Sequence, residues 1–289
     1  MSPGSELREH GPGASPDRPF LLATLTLLVS SPWKHRALII QMVRRDVVGR
    51  YRGSIMGLAW SFFNPLLMLA VYTFVFSVIF KARWIPTSES KTQFAMVLFA
   101  GLLVFNVFSE CLNRSPSLIV TNVNYVKKVV FPIEILPWIA MGSALFHMAI
   151  SFLVWLLFHL LLFGLPPPTL ILFPAVLVPL VFLTMGLSWF LASLGVYVRD
   201  VAQVIGVLTT TLLFLSPVFY SISYLPERYR PLILMNPVSL AIEQARDVLI
   251  WGNSPEWSGF ALYLVASVLV AWLGFAWFQK TRRGFADVL

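Results

Sequence analysis

RRDVVGRYRGSIMGLAWSFFNPLLMLAVYTFVFSVIF, residues 44–80, sets a basic lead-in directly before a long apolar span. From Gly53 to Phe80 there is no Asp, Glu, Lys or Arg. At about 1.5 Å per residue, a helix of that length exceeds the roughly 30 Å of a bilayer's hydrocarbon core. Arg44, Arg45, Arg50 and Arg52 stand at its front, and such a cluster holds that end of a span in the cytoplasm. The stretch therefore reads as a first membrane crossing that starts inside, preceded by a segment lying along the inner surface.

Upstream, residues 33–52 follow a helical pattern. At 100° per residue, Ile40, Val43, Val47 and Tyr51 fall on one face and Arg44, Arg45 and Arg52 on another. Arg50 falls within the apolar arc, so its guanidinium must snorkel or meet an anion. This pattern predicts an interfacial amphipathic helix. Residues 1–19 are rich in Pro, Gly and Ser and are expected to be a disordered cytoplasmic tail. Phe20 to Val29 is too short to span and lacks the small-residue cleavage site of a secretory signal; residues 20–30 are expected to form a short helix at the membrane surface. Residues 1–32 are thus set apart from 33–289.

Downstream, apolar runs predict crossings at about 57–80, 94–112, 138–163, 169–198, 203–220 and 257–279. The stretch 135–198 holds no Asp, Glu, Lys or Arg and is long enough for two spans, split by GLPPP at 164–168. Pro231 to Ile242 is apolar but too short to cross, and Asn236–Pro237 interrupts it, so 226–250 reads as re-entrant helices on the outer side. The expected fold is an all-α polytopic membrane protein with six transmembrane helices and an N-terminal interfacial helix. In this arrangement fifteen Lys and Arg fall inside and six outside, which places both termini in the cytoplasm.

At 58% hydrophobic and 12% charged, the 289-residue chain uses the bilayer as solvent for most of its length. The net charge of +8 lies beside apolar spans, where it orients helices and attracts anionic headgroups; no basic soluble module is present to hold nucleic acid. One cysteine, Cys111, excludes an intramolecular disulfide and a cysteine-based metal cluster.

No glycine is followed by lysine, so the phosphate-binding loop GxxxxGK[ST] is absent, as are HExxH and GxSxG. No catalytic or metal-ligating set is expected, and any ATP-driven work requires a separate ATPase chain. Glu110, His147 and His159 are the ionisable candidates within spans. Glu110 is expected near the hydrated end of span 2. The two histidines are twelve positions apart and read as packing residues rather than a proton relay.

Aromatic residues suit either lipid-facing belts or a pore wall over which sugars slide on their apolar C–H faces. The pore candidates are Trp60, Phe63, Tyr72 and Phe74 of span 1 and Phe214, Phe219 and Tyr220 of span 5. The stretch TNVNYVKKVVFP, residues 121–132, interleaves apolar and basic residues. It reads either as an amphipathic connector or as a coupling helix for a partner, with Asn–x–Asn as its cap and Lys127 and Lys128 facing acidic groups.

Four pieces occur in one order: RRDVVGRYRGSIMGLAWSFFNPLL (44–67), NYVKKVVFPIEILP (124–137), YVRDVAQV (197–204) and SPVFYS with LMNPVSLAIEQAR (216–246). In these the chain resembles the membrane subunits of type-2 ABC exporters of bacterial cell-surface polysaccharides, from about residue 33 onward. The resemblance implies a homodimer in the inner membrane with two copies of a separate ATPase, which binds ATP and Mg; this chain carries no cofactor. It implies an interface helix at 33–52 and a coupling segment at 120–131, with Asn124, Tyr125, Lys127, Lys128, Phe131 and Pro132 as contacts. It implies a pore between subunits, formed mainly by spans 1 and 5. The expected substrate is an undecaprenyl-pyrophosphate-linked glycan, O-antigen ahead of capsule or teichoic acid. Arg44, Arg45, Arg50 and Arg52 would receive its pyrophosphate or contact anionic lipid, since guanidinium pairs bidentately with phosphate oxygens. Two other classes stay open at this point: a permease for a small hydrophobic drug, and a membrane-embedded glycosyltransferase or ligase.

Overall fold

The computed structural model describes residues 20–79, 91–127 and 131–289. The expected tail at 1–19, most of the polar segment 81–93, the end of span 1 at Phe80, and Lys128 lie outside the described residues. Among the described residues the regular structure is helical throughout, with no strand. In order the helices are α1 (Phe20–Lys34), α2 (Arg36–Arg50), α3 (Trp60–Tyr72), α4 (Lys91–Arg114), α5 (Val123–Lys127), α6 (Leu136–Phe163), α7 (Phe173–Tyr197), α8 (Val201–Leu215), α9 (Arg230–Leu234), α10 (Pro237–Arg246), α11 (Trp257–Thr281) and α12 (Phe285–Val288). A π-helical segment, Thr73–Ile79, extends α3, and another, Asp247–Trp251, extends α10.

Among the described residues five stretches are long and apolar enough to cross a membrane: Gly57–Val75, Thr92–Ser117, Ile133–Phe163, Pro168–Tyr197 and Trp257–Val288. They correspond to spans 1, 2, 3, 4 and 6 of the sequence reading. The expected fifth span is shorter than foreseen. Helix α8 ends at Leu215, and Ser216 is extended (φ −84°, ψ 151°) because the residue before a proline is pushed out of the helical region. Phe219 and Tyr220 therefore lie beyond α8.

Helix α4 is the axis of the bundle. Val97, Leu98, Ala100 and Val104 are fully buried, and α4 is touched by α6, α7, α8 and α10. Helix α11 packs along α7 at very short range: a β-carbon at Gly274 would lie 2.0 Å from the Gly186 carbonyl oxygen. Small residues are what allow such contact in lipid, where the hydrophobic effect does not drive helices together. By contrast, α3 buries only Ser61 and Leu69, and α8 only Val201, Ile205 and Thr209. Their apolar outer faces cost nothing in hydrocarbon.

The region expected to be re-entrant is a helix–turn–helix against α4. Asn236 caps α10 by accepting from the Val238 N–H (3.1 Å) and donates to Ser216 Oγ (2.8 Å). At the far end of α10, Arg246 is completely buried. Its guanidinium donates to the carbonyls of Val97 (3.1 Å), Val218 (2.8 Å) and Pro217 and to the Glu243 carboxylate (2.8 Å). Gly101 of α4 makes room for it; a β-carbon there would stand 2.7 Å from Nη2. The cation is fully engaged, as a buried charge must be.

The N-terminal part departs from the expected single helix at 33–52. Helix α1 runs to Lys34 and packs on α11, where Trp272 Nε1 donates to Thr24 Oγ1 (3.2 Å). A turn at His35 then starts α2. Met42 and Val47 are the buried residues of α2, whereas Ile40, expected on the apolar face, is 67% exposed. The buried face is set by contact with α6, not by a flat lipid surface: Val43 packs where Gly142 lacks a side chain.

Candidate functional site

Where α2 ends against the bundle, the structure assembles charges that are far apart in sequence. Arg50 Nη2 donates to Glu110 Oε1 of α4 at 2.5 Å. The other carboxylate oxygen, Oε2, lies 3.1 Å from His147 Nδ1 of α6, and Arg114 Nη1 lies 3.8 Å from Oε1. Tyr51 Oη is 3.4 Å from His147 Nε2. Alongside, Arg114 Nη2 donates to Asp46 Oδ1 at 2.7 Å, and Ser143 Oγ donates to Asp46 Oδ2 at 2.7 Å. Burial opposes ionisation of Asp46, but the hydrogen bonds from Arg114 and Ser143 outweigh it and hold the carboxyl below the usual aspartate value.

This cluster closes one end of a cleft of ≈ 490 Å³ between α3, α4 and α6. Helical spacing explains its walls. Phe99, Leu103, Asn106 and Glu110 follow one stripe of α4, and Ala144, His147, Met148 and Ser151 follow one stripe of α6. The opposite wall is the α3 stripe Ser61, Asn64, Pro65, Met68 and Tyr72. Along α4 the lining passes from Glu110 through Asn106 to Leu103 and Phe99, and along α3 from Asn64 through Met68 to Tyr72. A second charged contact joins α1 and the residues after α11 through Glu134: Arg282 donates to Glu134 Oε2 (3.2 Å), and Ser31 of α1 donates to Oε1 (3.4 Å).

Of the four arginines singled out from sequence, Arg50 reaches an anion within the protein, as its place on the apolar arc required. Arg45 donates to Tyr125 Oη at 2.7 Å and lies 6.0 Å from the Tyr125 ring centroid. Arg44 and Arg52 are exposed. Glu110 is not merely hydrated at a helix end; it is the hub of the cluster. His147 belongs to that cluster, whereas His159 packs against Trp155 and faces the Gly164 carbonyl oxygen at 3.2 Å.

Within the coupling segment the described helix, α5, covers Val123–Lys127. The Asn–x–Asn cap does not form: Asn124 is inside α5, and Asn122 Nδ2 donates back to the Leu118 carbonyl (2.9 Å). Tyr125 stacks on Phe131 at 4.5 Å between centroids, beside the half-buried Pro132, while Asn124 and Lys127 are exposed. Among the pore candidates, Tyr72 meets Phe219 (6.0 Å) and Phe219 meets Phe214 (5.6 Å). Phe63 pairs with its neighbour Phe62 (5.9 Å), and Tyr220 Oη donates to the Leu215 carbonyl (3.1 Å). Phe74 is 58% exposed, Phe63 is exposed and Trp60 is half-buried; none of these three, nor Tyr220, belongs to the Tyr72–Phe219–Phe214 group.

Asp46, Arg114, Ser143, Asn64 and Asn106 are the site residues that the sequence did not single out. Each carried one available signal, a polar group inside or beside an apolar span.

Residues 37–250 match the family model described as ABC-2 type transporter. The chain is also similar to the O-antigen export system permease protein RfbA of Myxococcus xanthus, 29% identical over 262 residues that cover 90% of this chain and 98% of that protein. A protein of the same name from Klebsiella pneumoniae is 24% identical, covering 87% and 95%. The polysialic acid transport protein KpsM of Escherichia coli is 22% identical, covering 83% and 91%.

Proposed function

The chain belongs to the ABC-2 type transporter family, and from that premise we propose that it is the membrane permease of an exporter for a cell-surface polysaccharide, O-antigen in the first place. The observation that carries this reading is the end-to-end similarity to an O-antigen export permease, which reaches 98% of that protein's length. The absence of any phosphate-binding loop from the sequence supports a separate ATPase chain as the engine.

In this reading the working unit is a homodimer of six-span subunits with two ATPase copies, both termini in the cytoplasm. The apolar faces that α3 and α8 leave uncovered support a second copy beside them. Helix α8 serves as the fifth crossing together with the turn that follows Leu215. The substrate is a glycan on undecaprenyl pyrophosphate. The aromatic group Tyr72, Phe214 and Phe219, with Trp60, Phe63, Phe74 and Tyr220, lines its path. Arg44, Arg45, Arg50 and Arg52 form the basic approach for the pyrophosphate. Residues 120–131 transmit ATPase closure through Tyr125 and Arg45 to α2, as two packed arrangements of rigid elements.

The test is genetic and topological. Deleting the gene should leave the lipid-linked polymer inside the cell and remove it from the surface, with restoration by the intact chain; surface display that persists overturns the reading. Reporters after Leu289 and near Arg114 should read cytoplasm and one at Pro167 periplasm.

A further inference from the structure

Between Phe94 and Phe108, α4 is buried at every position except Asn106. That asparagine lies one turn from Glu110 and opens into the α3–α4–α6 cleft, across from the exposed Asn64 of α3. Neither amide makes a hydrogen bond to another described residue. Two unpartnered amides at membrane depth are costly unless water or a ligand meets them. They stand between the charged mouth and the inner end, which Met68, Leu103, Phe99 and the ring of Tyr72 make largely apolar.

An amphiphile with the same order of groups fits this lining: an anionic head, a second acceptor group just behind it, and a hydrocarbon chain. A lipid diphosphate has that order, because its inner phosphoryl group sits one P–O–P bridge nearer the chain than the outer one. A polyprenyl monophosphate lacks the second group, and a glycerophospholipid offers only neutral ester carbonyls in its place. The obstacle is that Arg50 is already taken by Glu110 at 2.5 Å. Glu110, however, keeps other partners if Arg50 turns away: His147 at 3.1 Å and Arg114 at 3.8 Å. Asp46 keeps its ion pair with Arg114 and its hydrogen bond from Ser143 throughout.

We propose that this cleft, within a single subunit, binds the diphosphate group of a polyprenyl lipid, with the outer phosphate on Arg50, the inner phosphate on Asn64 and Asn106, and Glu110 as a resident counter-ion that the ligand displaces. The inference rests on the exporter reading and adds to it a place and a selectivity device. Holding Arg50 on an internal carboxylate keeps ordinary anionic phospholipids from occupying it, because a single phosphodiester gains too little from Arg50 alone to displace Glu110. The two amides supply additional donors that meet a charged phosphoryl group in a diphosphate but only neutral ester carbonyls in a glycerophospholipid, and a hydrogen bond to a charged acceptor is worth more than one to a neutral acceptor.

The test uses the permease in complex with its ATPase, reconstituted in nanodiscs and probed separately with polyprenyl diphosphate, polyprenyl monophosphate and phosphatidylglycerol, bound lipid being counted by native mass spectrometry. The intact chain should prefer the diphosphate by roughly tenfold over either other lipid. Asn64→Leu with Asn106→Leu should erase that preference while dimer mass and thermal unfolding stay unchanged. Arg50→Gln should weaken diphosphate binding, and Glu110→Gln should strengthen it and admit phosphatidylglycerol. Glu110→Asp, which keeps the charge but shortens its reach, should act in the same direction and serves if the glutamine variant does not fold. Equal binding of all three lipids to the intact chain, a preference that survives the double asparagine change, or weaker binding in the Glu110 variants each overturn the proposal. A strain that exports normally while these binding results fail removes the cleft assignment alone; loss of the exporter reading shows instead in the gene deletion.

Discussion

The Asp46 carboxylate of α2 holds the Arg114 guanidinium at the end of α4 at 2.7 Å, so the helix expected to float along the membrane surface is fastened to the buried axis of the bundle. Any push on α2 thereby reaches α4 directly, and through α4 the walls of the cleft.

This fastening has a pH signature. The folded-state value of Asp46 is lowered, so its contribution is fully present above the ordinary aspartate value and is lost as the pH falls through the folded one, below about pH 4. Asp46→Asn should cost about 1 kcal/mol near neutral pH, kept small by partial exposure. It should also flatten the acid limb of a thermal-unfolding series recorded across pH. An unchanged acid limb would place the sensitivity elsewhere.

The α7–α11 contact leaves no room for growth. Gly274→Ala sets a β-carbon against the Gly186 backbone and should destabilise the purified protein by about 2 kcal/mol. Gly206→Ala on α8 meets nothing within 4 Å and, by helix propensity, should not destabilise, which makes it the control. Equal unfolding temperatures for the two variants would mean that the helices can separate at no cost.

Coupling should run through the Arg45–Tyr125 contact. Tyr125→Ala and Lys127→Glu are expected to reduce substrate-stimulated ATP hydrolysis in the assembled complex several-fold while membrane insertion stays intact. ATPase rates in nanodiscs give the answer. Full stimulation in both variants would reduce residues 120–131 to a connector.

The aromatic path predicts graded loss. Each ring contributes about 1 kcal/mol or less, by analogy with aromatic pairs. Phe214→Leu alone should therefore slow export mildly, whereas Tyr72, Phe214 and Phe219 changed together to leucine should stop it with assembly preserved. Surface polysaccharide measured by flow cytometry distinguishes this from a lipid-facing role, for which the triple change would be silent.

The sequence made the spans legible because charge-free length is a strong signal: α6 and α7 emerge from 135–198 on composition alone. It also singled out Arg50, since one arginine on an apolar arc must find an anion. It did not reveal which anion, because Glu110 and His147 sit in different spans and only three-dimensional packing brings them to Arg50. Ile40 lies off the buried face for a related reason: the face of α2 is chosen by Gly142 on α6, and no periodicity within α2 records that. The end of α8 is hidden from hydropathy, which continues through Pro217 while the helical backbone stops at Leu215.

Helix α4 is almost wholly covered by segments that follow it in the chain, and the guanidinium of Arg246 reaches its backbone at Val97. During biosynthesis α4 leaves the ribosome about 150 positions before Arg246 does. Glu110 waits for His147 until α6 follows, and the backbone at Val97 waits through the whole interval for α10. The nascent chain therefore carries an unfinished centre until α10 arrives, and a truncation before Arg246 should yield a protein that inserts in the membrane yet is cleared by quality-control proteases.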